Sequence, residues 1–458
     1  MKPLLSPSSV AVIGASRNPA SVGHGVLKGL VKGSVFASPF AKPFKGRIFA
    51  VNPNASEILG VKCIPSVKDA AGPVDLAVIC VPAALVPTVL RECAEKKVKA
   101  AIVVSAGFAE TGPEGRQKQE EIAAICRNAG MLLLGPNCLG VLRPASSLNA
   151  SFGLGMPPSG GMAFVSQSGA LADSVIDWAL EQMYGFSALV SLGNSAGLNE
   201  ADFVDWLASD AQTKAITLYL EGVRNGKAFM AAVRKAVAND KKVFVLKGGR
   251  EGKGLKAVSS HTAAMAGSYP VFAAAMRQCG ATVVDSLEEL FVLGDAASKQ
   301  PAARNGVAVI TNGGGAGVLC ADYCHRYGVQ LVDLREKTLA RLDRGGNMHS
   351  AYSRSNPLDL IGDALPERYA AALETLLSEN YVHGLIVVQT LQTMTDSIGD
   401  AKAVVAASRR HPKKPVLCVF MGGPYSKEGI CFLHEHGIPN FQDPLLAVKA
   451  MAALVGKI

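Results

Sequence analysis

Apolar runs of strand length alternate along the chain with longer amphipathic stretches of helical length. The readable strands fall into three sets. SVAVIG, GRIFAVN, DLAVICV, AAIVVSA and MLLLG come first; GMAFVS, FSALVSLG, AITLYLE and KVFVLKGG follow; GVAVITN, VQLVDL, GLIVVQ and PVLCVFMGG close the series. Strands that alternate with helices predict parallel sheets joined by right-handed crossovers. Two stretches break the pattern. One, GPNCLGVLRPASSLNASFGLGMPPSGG at residues 135–161, is dense in Gly, Pro, Ser and Asn; the other, GDAASKQPAARNG at 294–306, separates a helix from a fresh strand. The expected fold is α/β, with three Rossmann-like or flavodoxin-like parallel-sheet domains over residues 1–130, 131–297 and 303–458.

Length and composition agree with that division. A chain of 458 residues is too long for one core, and 49% hydrophobic content with 6% aromatic residues describes an Ala/Val/Gly-rich α/β protein. Ten cysteines are scattered without a CxxC pair, several inside apolar strands, which makes them small buried hydrophobes and gives no disulfide or zinc framework. No metal site is expected, and a reducing cytoplasm suits such cysteines. The opening MKPLLSPSSVAVIGAS breaks its apolar run with Pro and Ser, and no segment reaches the roughly 18 apolar residues of a membrane helix. A formal net charge of +9 raises the question of nucleic acid. The basic residues are dispersed, with KGGREGKGLK the densest cluster, and no basic stripe is interleaved with aromatics. A small polyanion or an acidic protein subunit is the simpler partner.

Each domain carries a turn suited to anions. In the first, SSVAVIG runs into GASRNPASVGHG and a helix, so backbone N–H groups at a helix N-terminus face a phosphate and Gly14 and Gly23 permit close approach. The spacing is not G-x-G-x-x-G, and the second strand ends in Val51, Asn52 and Pro53 where an NAD site presents an acid. A nucleotide-bearing ligand other than NAD fits better, with Val81, Pro82 and Ser105 at later strand ends lining the same crevice. In the second domain a strand enters Ser166, Gln167, Ser168 and Gly169 before a helix that either serine can cap. AITLYLEGV ends a buried strand in Glu221, a carboxylate placed to orient one ring nitrogen of His261 in AVSSHTAAMAG, leaving the other nucleophilic. In the third, Gly313, Gly314, Gly315, Ala316 and Gly317 form another strand–turn–helix. Two such N-termini, each worth up to about 1–2 kcal/mol to a partly buried anion, suit a histidine that carries phosphate.

SVAVIGAS, VNP, ICVPA, SAGFAETG, GPNCLG, SQSGAL, LGNSAGLNEADFVDWLASDAQTKAI, YLEGV and SSHTAAMAG, in that order, resemble the NDP-forming acyl-CoA synthetase superfamily over essentially the whole chain. The resemblance points to the α subunit of ADP-forming acetate–CoA ligases, relatives of succinyl-CoA synthetase. It implies coenzyme A on the first domain, held by the turn at Gly14, Ala15, Ser16 and Arg17 and by the strand ends. It also implies phosphorylation of His261 with Glu221 as its orienting group, and phosphate facing the 166–169 and 313–317 turns. The family's ATP-grasp unit is absent from the sequence. The resemblance therefore places Mg²⁺ and ADP/ATP on a separate β subunit, in a cytoplasmic hetero-oligomer acting on acyl-CoA, carboxylic acid and phosphate. The alternative is a non-catalytic CoA-binding or regulatory protein of the same fold; an NAD-dependent oxidoreductase is disfavoured by the missing acid.

Overall fold

A computed structural model describes residues 1–255 and 268–458. The chain divides into two compact units, Met1–Ser286 and Leu287–Ile458.

The first unit holds two seven-stranded sheets. One is built from β1 (Ser9–Ile13), β2 (Arg47–Val51), β3 (Glu57–Ile58), β4 (Val61–Ile64), β5 (Leu76–Ile79), β6 (Ala100–Val103) and β7 (Leu132–Leu134), in the order β3-β4-β2-β1-β5-β6-β7. Every pair is parallel except the β3–β4 hairpin. β1, β5 and β6 are buried along their whole length, as apolar strands covered on both faces must be. Strands β2 and β5 flank β1, so connections leave in opposite directions and open a crevice at the carboxyl ends. Pairing of β7 with β6 carries this sheet past residue 130, the expected domain boundary.

The second sheet comprises β8 (Gly140–Arg143), β9 (Leu148–Ser151), β10 (Ser159–Ser166), β11 (Phe186–Ser191), β12 (Ala215–Leu220), β13 (Lys242–Lys247) and β14 (Thr282–Val284), in the order β14-β13-β12-β10-β11-β8-β9. It is parallel from β14 to β11, and β8 and β9 then add antiparallel. The 135–161 stretch is thus more than a joint. Gly140 is what allows it: at φ +116° it sits where an added Cβ would lie 2.2 Å from the Ala150 carbonyl oxygen. One hydrophobic core runs through both sheets, from Val10 and Val78 through Leu134 and Val141 to Val165, Leu218 and Val245.

The second unit carries a four-stranded parallel sheet of β15 (Val307–Thr311), β16 (Leu358–Asp359), β17 (Gly384–Thr390) and β18 (Val416–Met421), ordered β16-β15-β17-β18. The helix Leu287–Lys299, whose sequence lies mostly inside the expected 131–297 domain, packs here against Pro444–Leu454, with Lys449 Nζ 3.0 Å from Glu289 Oε1. VQLVDL does not form the expected strand. It makes one bridge to Val307, because the Asn356 side chain takes the neighbouring ladder positions, donating to the carbonyls of Val307 and Val332 at 2.9 Å and accepting from the Val309 N–H at 2.9 Å.

Three parallel-dominated sheets are the fold class read from the sequence. The ten cysteines are free and seven are buried. Among the described residues no helix is long and apolar enough to cross a membrane.

A very close contact in the first unit is between the helix Val22–Lys32 and the turn after β1: a Cβ on Gly23 would stand 2.0 Å from the Gly14 carbonyl oxygen. Gly23→Ala must push the helix off the turn, and a loss of about 1–3 kcal/mol is expected, as for other overpacked sites. A thermal or urea melt indistinguishable from wild type would show that the turn yields without cost.

Candidate active site

The first crevice is shaped by backbone constraints. Gly14, at φ +89°, donates its N–H to Val51 O at 3.1 Å, and a Cβ there would lie 3.0 Å from both the Cys80 carbonyl and Val81 Cγ1. Ser16 Oγ accepts the Asn18 N–H at 3.1 Å, and the Ser16 carbonyl faces His24 Nδ1 at 2.9 Å. Ser105 Oγ donates to Val81 O at 2.5 Å and ties the ends of β5 and β6 together. Gly14, Val51, Val81 and Ser105 therefore meet at one sheet edge, with Pro53 and Pro82 exposed beside them. Val51 contributes its carbonyl only, since its side chain is buried. Ala15 is likewise buried, and its carbonyl accepts from Asn52 Nδ2 at 2.7 Å. Arg17 is exposed and makes two long contacts of 3.4 Å, to Glu57 O and Ser56 Oγ. Sequence reasoning missed the role of Asn52, which clamps the turn where an NAD site would carry its acid.

At the end of β10 the two serines divide the work left open by the sequence. Ser168 is the N-cap of the helix Gly169–Gln182, accepting from the Leu171 N–H at 3.4 Å. Ser166 Oγ closes the turn, donating to Ser168 O at 2.8 Å and accepting the Ser168 N–H at 3.0 Å. The N–H groups of Gly169 and Ala170 remain, beyond reach of any preceding helical turn. Gln167 does not offer its amide to a ligand. Its Oε1 accepts the N–H groups of Glu221 at 2.6 Å and Gly222 at 3.0 Å, while Nε2 donates to Gly222 O at 2.9 Å.

Glu221, only 6% exposed, stands where that latch grips the end of β12. Tyr219, two residues earlier and so on the same strand face, donates its hydroxyl to the Glu221 carboxylate. Burial first, then the charge and hydrogen bond of Glu221, push the Tyr219 pKa up to about 12, so it stays a donor at neutral pH. Lys247, 3% exposed, donates to the carbonyls of Glu221 at 2.7 Å and Gly248 at 2.5 Å. Burial holds its pKa below the ordinary lysine range, opposed by the Glu221 charge. A Cβ on Gly248 would approach Tyr219 Oη to 2.8 Å. Tyr219 and Lys247 were missed from sequence, although the period of two in YLE held the signal for the first. His261 lies outside the described residues. The chain on either side of that stretch is gathered by Arg250, which donates to Lys247 O at 3.0 Å, Asp285 Oδ1 at 2.6 Å and Val284 O, and stacks 4.7 Å over the Tyr269 ring.

A cavity of about 800 Å³ opens at the ends of β10, β11 and β12, lined by the Gly169 and Ala170 turn, by Leu139 against it, and by Val104. Its rim is braced by Asn194, whose Nδ2 donates to Glu110 Oε2 at 2.5 Å and Gln119 Oε1 at 2.9 Å and whose carbonyl accepts from Arg224 Nη2 at 2.9 Å. Glu110 Oε1 also accepts the N–H groups of Gly107 at 2.6 Å and Phe108 at 3.1 Å. Burial acts to raise the Glu110 pKa, and these donors more than offset it, holding the carboxyl below its ordinary range.

The second unit repeats the turn. Thr311 Oγ1 donates to Gly313 O and accepts the Gly313 N–H, both at 3.0 Å, as Ser166 does with Ser168. Asn312 takes the part of Gln167: its Oδ1 accepts the Thr390 N–H at 2.7 Å and its Nδ2 donates to Thr390 O at 2.9 Å. Since Ser166 pairs with Tyr219 and Thr311 with Val388, Thr390 occupies the position of Glu221. Gly313, Gly314 and Gly315 stand at the open end of the helix Gly314–Arg326. Ala316 and Gly317 are buried, and a Cβ on Gly317 would touch Thr311 Cγ2 at 3.0 Å, so these two serve packing. No cluster of metal-ligating side chains occurs among the described residues.

Three family descriptions match in sequence order: CoA binding domain at 8–144, Succinyl-CoA ligase like flavodoxin domain at 159–297 and Ligase-CoA domain at 307–457. The acetate–CoA ligase [ADP-forming] II subunit alpha of Pyrococcus furiosus is 37% identical over 98% of this chain and 96% of its own length. The chain belongs to the ADP-forming acetate–CoA ligase family. Another member, acetate–CoA ligase [ADP-forming] I of Archaeoglobus fulgidus, is 41% identical over 99% of this chain, which spans 63% of that relative's length. Among solved structures, the dinucleotide forming acetyl-coenzyme A synthetase 1 of Ca. Korarchaeum cryptofilum, in complex with phosphate and ADP, matches with TM-score 0.92 and 34% identity, over 100% of this chain and 96% of that one. Membership of this ligase family does not favour the non-catalytic alternative.

The Glu110 brace has a pH signature. A carboxyl whose folded pKa is depressed adds stability above its unfolded value, about 4.3 for glutamate, and loses it as pH falls through the folded one. Melting temperatures taken from about pH 7 down to about pH 3 should fall more steeply for wild type than for Glu110→Gln. Parallel curves would remove Glu110 from the acid response.

Proposed function

We propose that this chain is the α part of an ADP-forming acyl-CoA synthetase that passes a phosphoryl group from an acyl phosphate to His261. The observation that carries the reading is the latch itself: an N-terminal helix turn with free N–H groups is held rigidly beside a buried carboxylate, Glu221. That pairing suits a dianionic phosphoryl group on one side and an imidazole needing orientation on the other.

In this reading a phosphate oxygen attacks the thioester carbonyl of bound acyl-CoA, the C–S bond breaks, and the products are acyl phosphate and the CoA thiol. A His261 ring nitrogen then attacks phosphorus and the carboxylate leaves. Glu221 accepts the hydrogen bond of the other ring nitrogen and stabilises the positive charge that develops, with Tyr219 fixing the carboxylate. The N–H groups of Gly169 and Ala170 receive the phosphoryl oxygens in a preorganised site. A terminal oxygen of ADP finally attacks phosphorus, the P–N bond to His261 breaks and ATP forms, and the 313–315 turn offers a second set of donors. ADP and Mg²⁺ belong in this scheme to an ATP-grasp partner chain, where the cation supplies charge neutralisation. Coenzyme A lies along the first crevice, its phosphates at the 14–17 turn with Arg17 free to supply a planar donor fork. The first sheet carries the CoA part, the second sheet the phosphohistidine part and the second unit the other phosphate-facing turn.

Incubation with acetyl-CoA and radiolabelled phosphate should leave acid-labile label on wild type and none on His261→Ala, with CoA affinity within a few-fold in calorimetry. Labelling of the alanine variant would move the phosphoryl acceptor elsewhere. Glu221→Gln keeps the size and loses the charge, so labelling should slow by about 10²–10⁴-fold; a wild-type rate would reduce Glu221 to a structural strand end.

A further inference from the structure

The cavity beside the 166–169 turn holds more than a phosphate needs. Its volume, about 800 Å³, lies in the range of roughly 300–1,000 Å³ that accommodates drug-sized ligands. Its walls differ in character. The polar part comprises Gly169 and Ala170 at the helix N-terminus, Arg224, and Ser195, which is 4% exposed, has a left-handed backbone at φ +52° and carries a hydroxyl with no hydrogen-bond partner. The apolar part is made by Val104, Phe152 and Leu139, the last against the turn, its Cβ 3.8 Å from where a Cβ on Gly169 would stand. Asp173 interrupts the apolar part. It lies four residues beyond Gly169, about 6 Å along the helix and on the same face. Its Oδ1 accepts the Leu154 N–H at 2.8 Å, which fixes the carboxyl next to the backbone following Phe152.

We propose that this cavity receives the acyl group, and that its apolar wall and Asp173 select monocarboxylic acids with a chain longer than acetate while excluding dicarboxylic acids. The inference rests on the ligase reading above and adds its substrate class. The carbonyl end belongs with the Gly169 and Ala170 donors and the unpartnered Ser195 hydroxyl, because charge develops there. The chain then extends along Leu139 and Phe152. An acetyl group leaves that wall uncovered, whereas each further methylene buried on it is worth roughly 10–200-fold in discrimination. A second carboxylate at the far end meets the fixed Asp173 carboxyl with like charge in a half-buried setting. The Arg224 guanidinium is engaged elsewhere, tied to the Asn194 carbonyl at 2.9 Å.

The test measures phosphate-dependent release of CoA thiol in the first turnover of the full chain with acetyl-, butyryl-, phenylacetyl- and succinyl-CoA, the dependence of the single-turnover rate on substrate giving an apparent kcat/KM. Wild type should show kcat/KM at least about 10-fold higher for butyryl- or phenylacetyl-CoA than for acetyl-CoA, and at least about 10-fold lower for succinyl- than for butyryl-CoA. Asp173→Asn, which keeps the acceptor for Leu154, should raise the succinyl-to-butyryl ratio about 10-fold or more. Phe152→Ala should lower the butyryl-to-acetyl ratio by a similar factor. A preference for acetyl-CoA over both longer substrates, or ratios unmoved by both variants, overturns the inference while leaving the ligase reading intact. If no acyl-CoA releases thiol with phosphate, the ligase reading falls and this one with it.

Discussion

Three hydrogen bonds between the Gln167 side chain and the backbone of Glu221 and Gly222 determine what the rest of the site can do. A parallel sheet ends where its strands run out of partners, and the residues just beyond are free to splay. The amide removes that freedom by extending the ladder one step with a side chain in place of a strand. The strand-end carboxylate and the helix N-terminus then share one rigid frame, and Lys247 fastens the same backbone from the β13 side. Burying a lysine and a glutamate together is costly unless their remaining polar atoms find partners. Here the carbonyls of Glu221 and Gly248 and the Tyr219 hydroxyl supply them.

The first unit is closed by a different kind of contact. Its two sheets share one apolar core, yet the ring of Asn194, Glu110, Gln119 and Arg224 above that core is polar and nearly saturated with hydrogen bonds. Apolar packing is tolerant of small shifts, whereas a carboxylate accepting from three donors is not. The cavity inherits its definition from that ring.

Periodicity was enough to recognise the three sheets and the strand-end turns, because buried parallel strands write their runs plainly. It failed where a side chain replaced a strand. VQLVDL reads as a strand and is displaced by the Asn356 amide, a contact between residues far apart that no local pattern records. β8 and β9 hid in a stretch whose Gly, Pro and Ser content reads as a joint. At the site, Glu221, Ser166 and Ser168 were legible as types at strand ends. Gln167 was legible only as a member of the turn, since its reach across to β12 depends on register. The same holds for Lys247, whose partners lie on a neighbouring strand, and for Asn52, whose task is to hold a carbonyl.

The recurrence of the latch in the second unit, with Asn312 gripping Thr390, separates frame from occupant. The grip itself takes hold of the backbone at the gripped position in both units, and in the second Thr390 Oγ1 adds a bond of its own to Asn312 Oδ1 at 3.1 Å. That side chain is therefore an exchangeable fitting in a standard socket: an acid in one unit and a hydroxyl in the other, carried by the same mounting. A protein with two such sockets can give them unlike electrostatic duties without redesigning either fold, because the grip is on the backbone and the change is confined to one side chain.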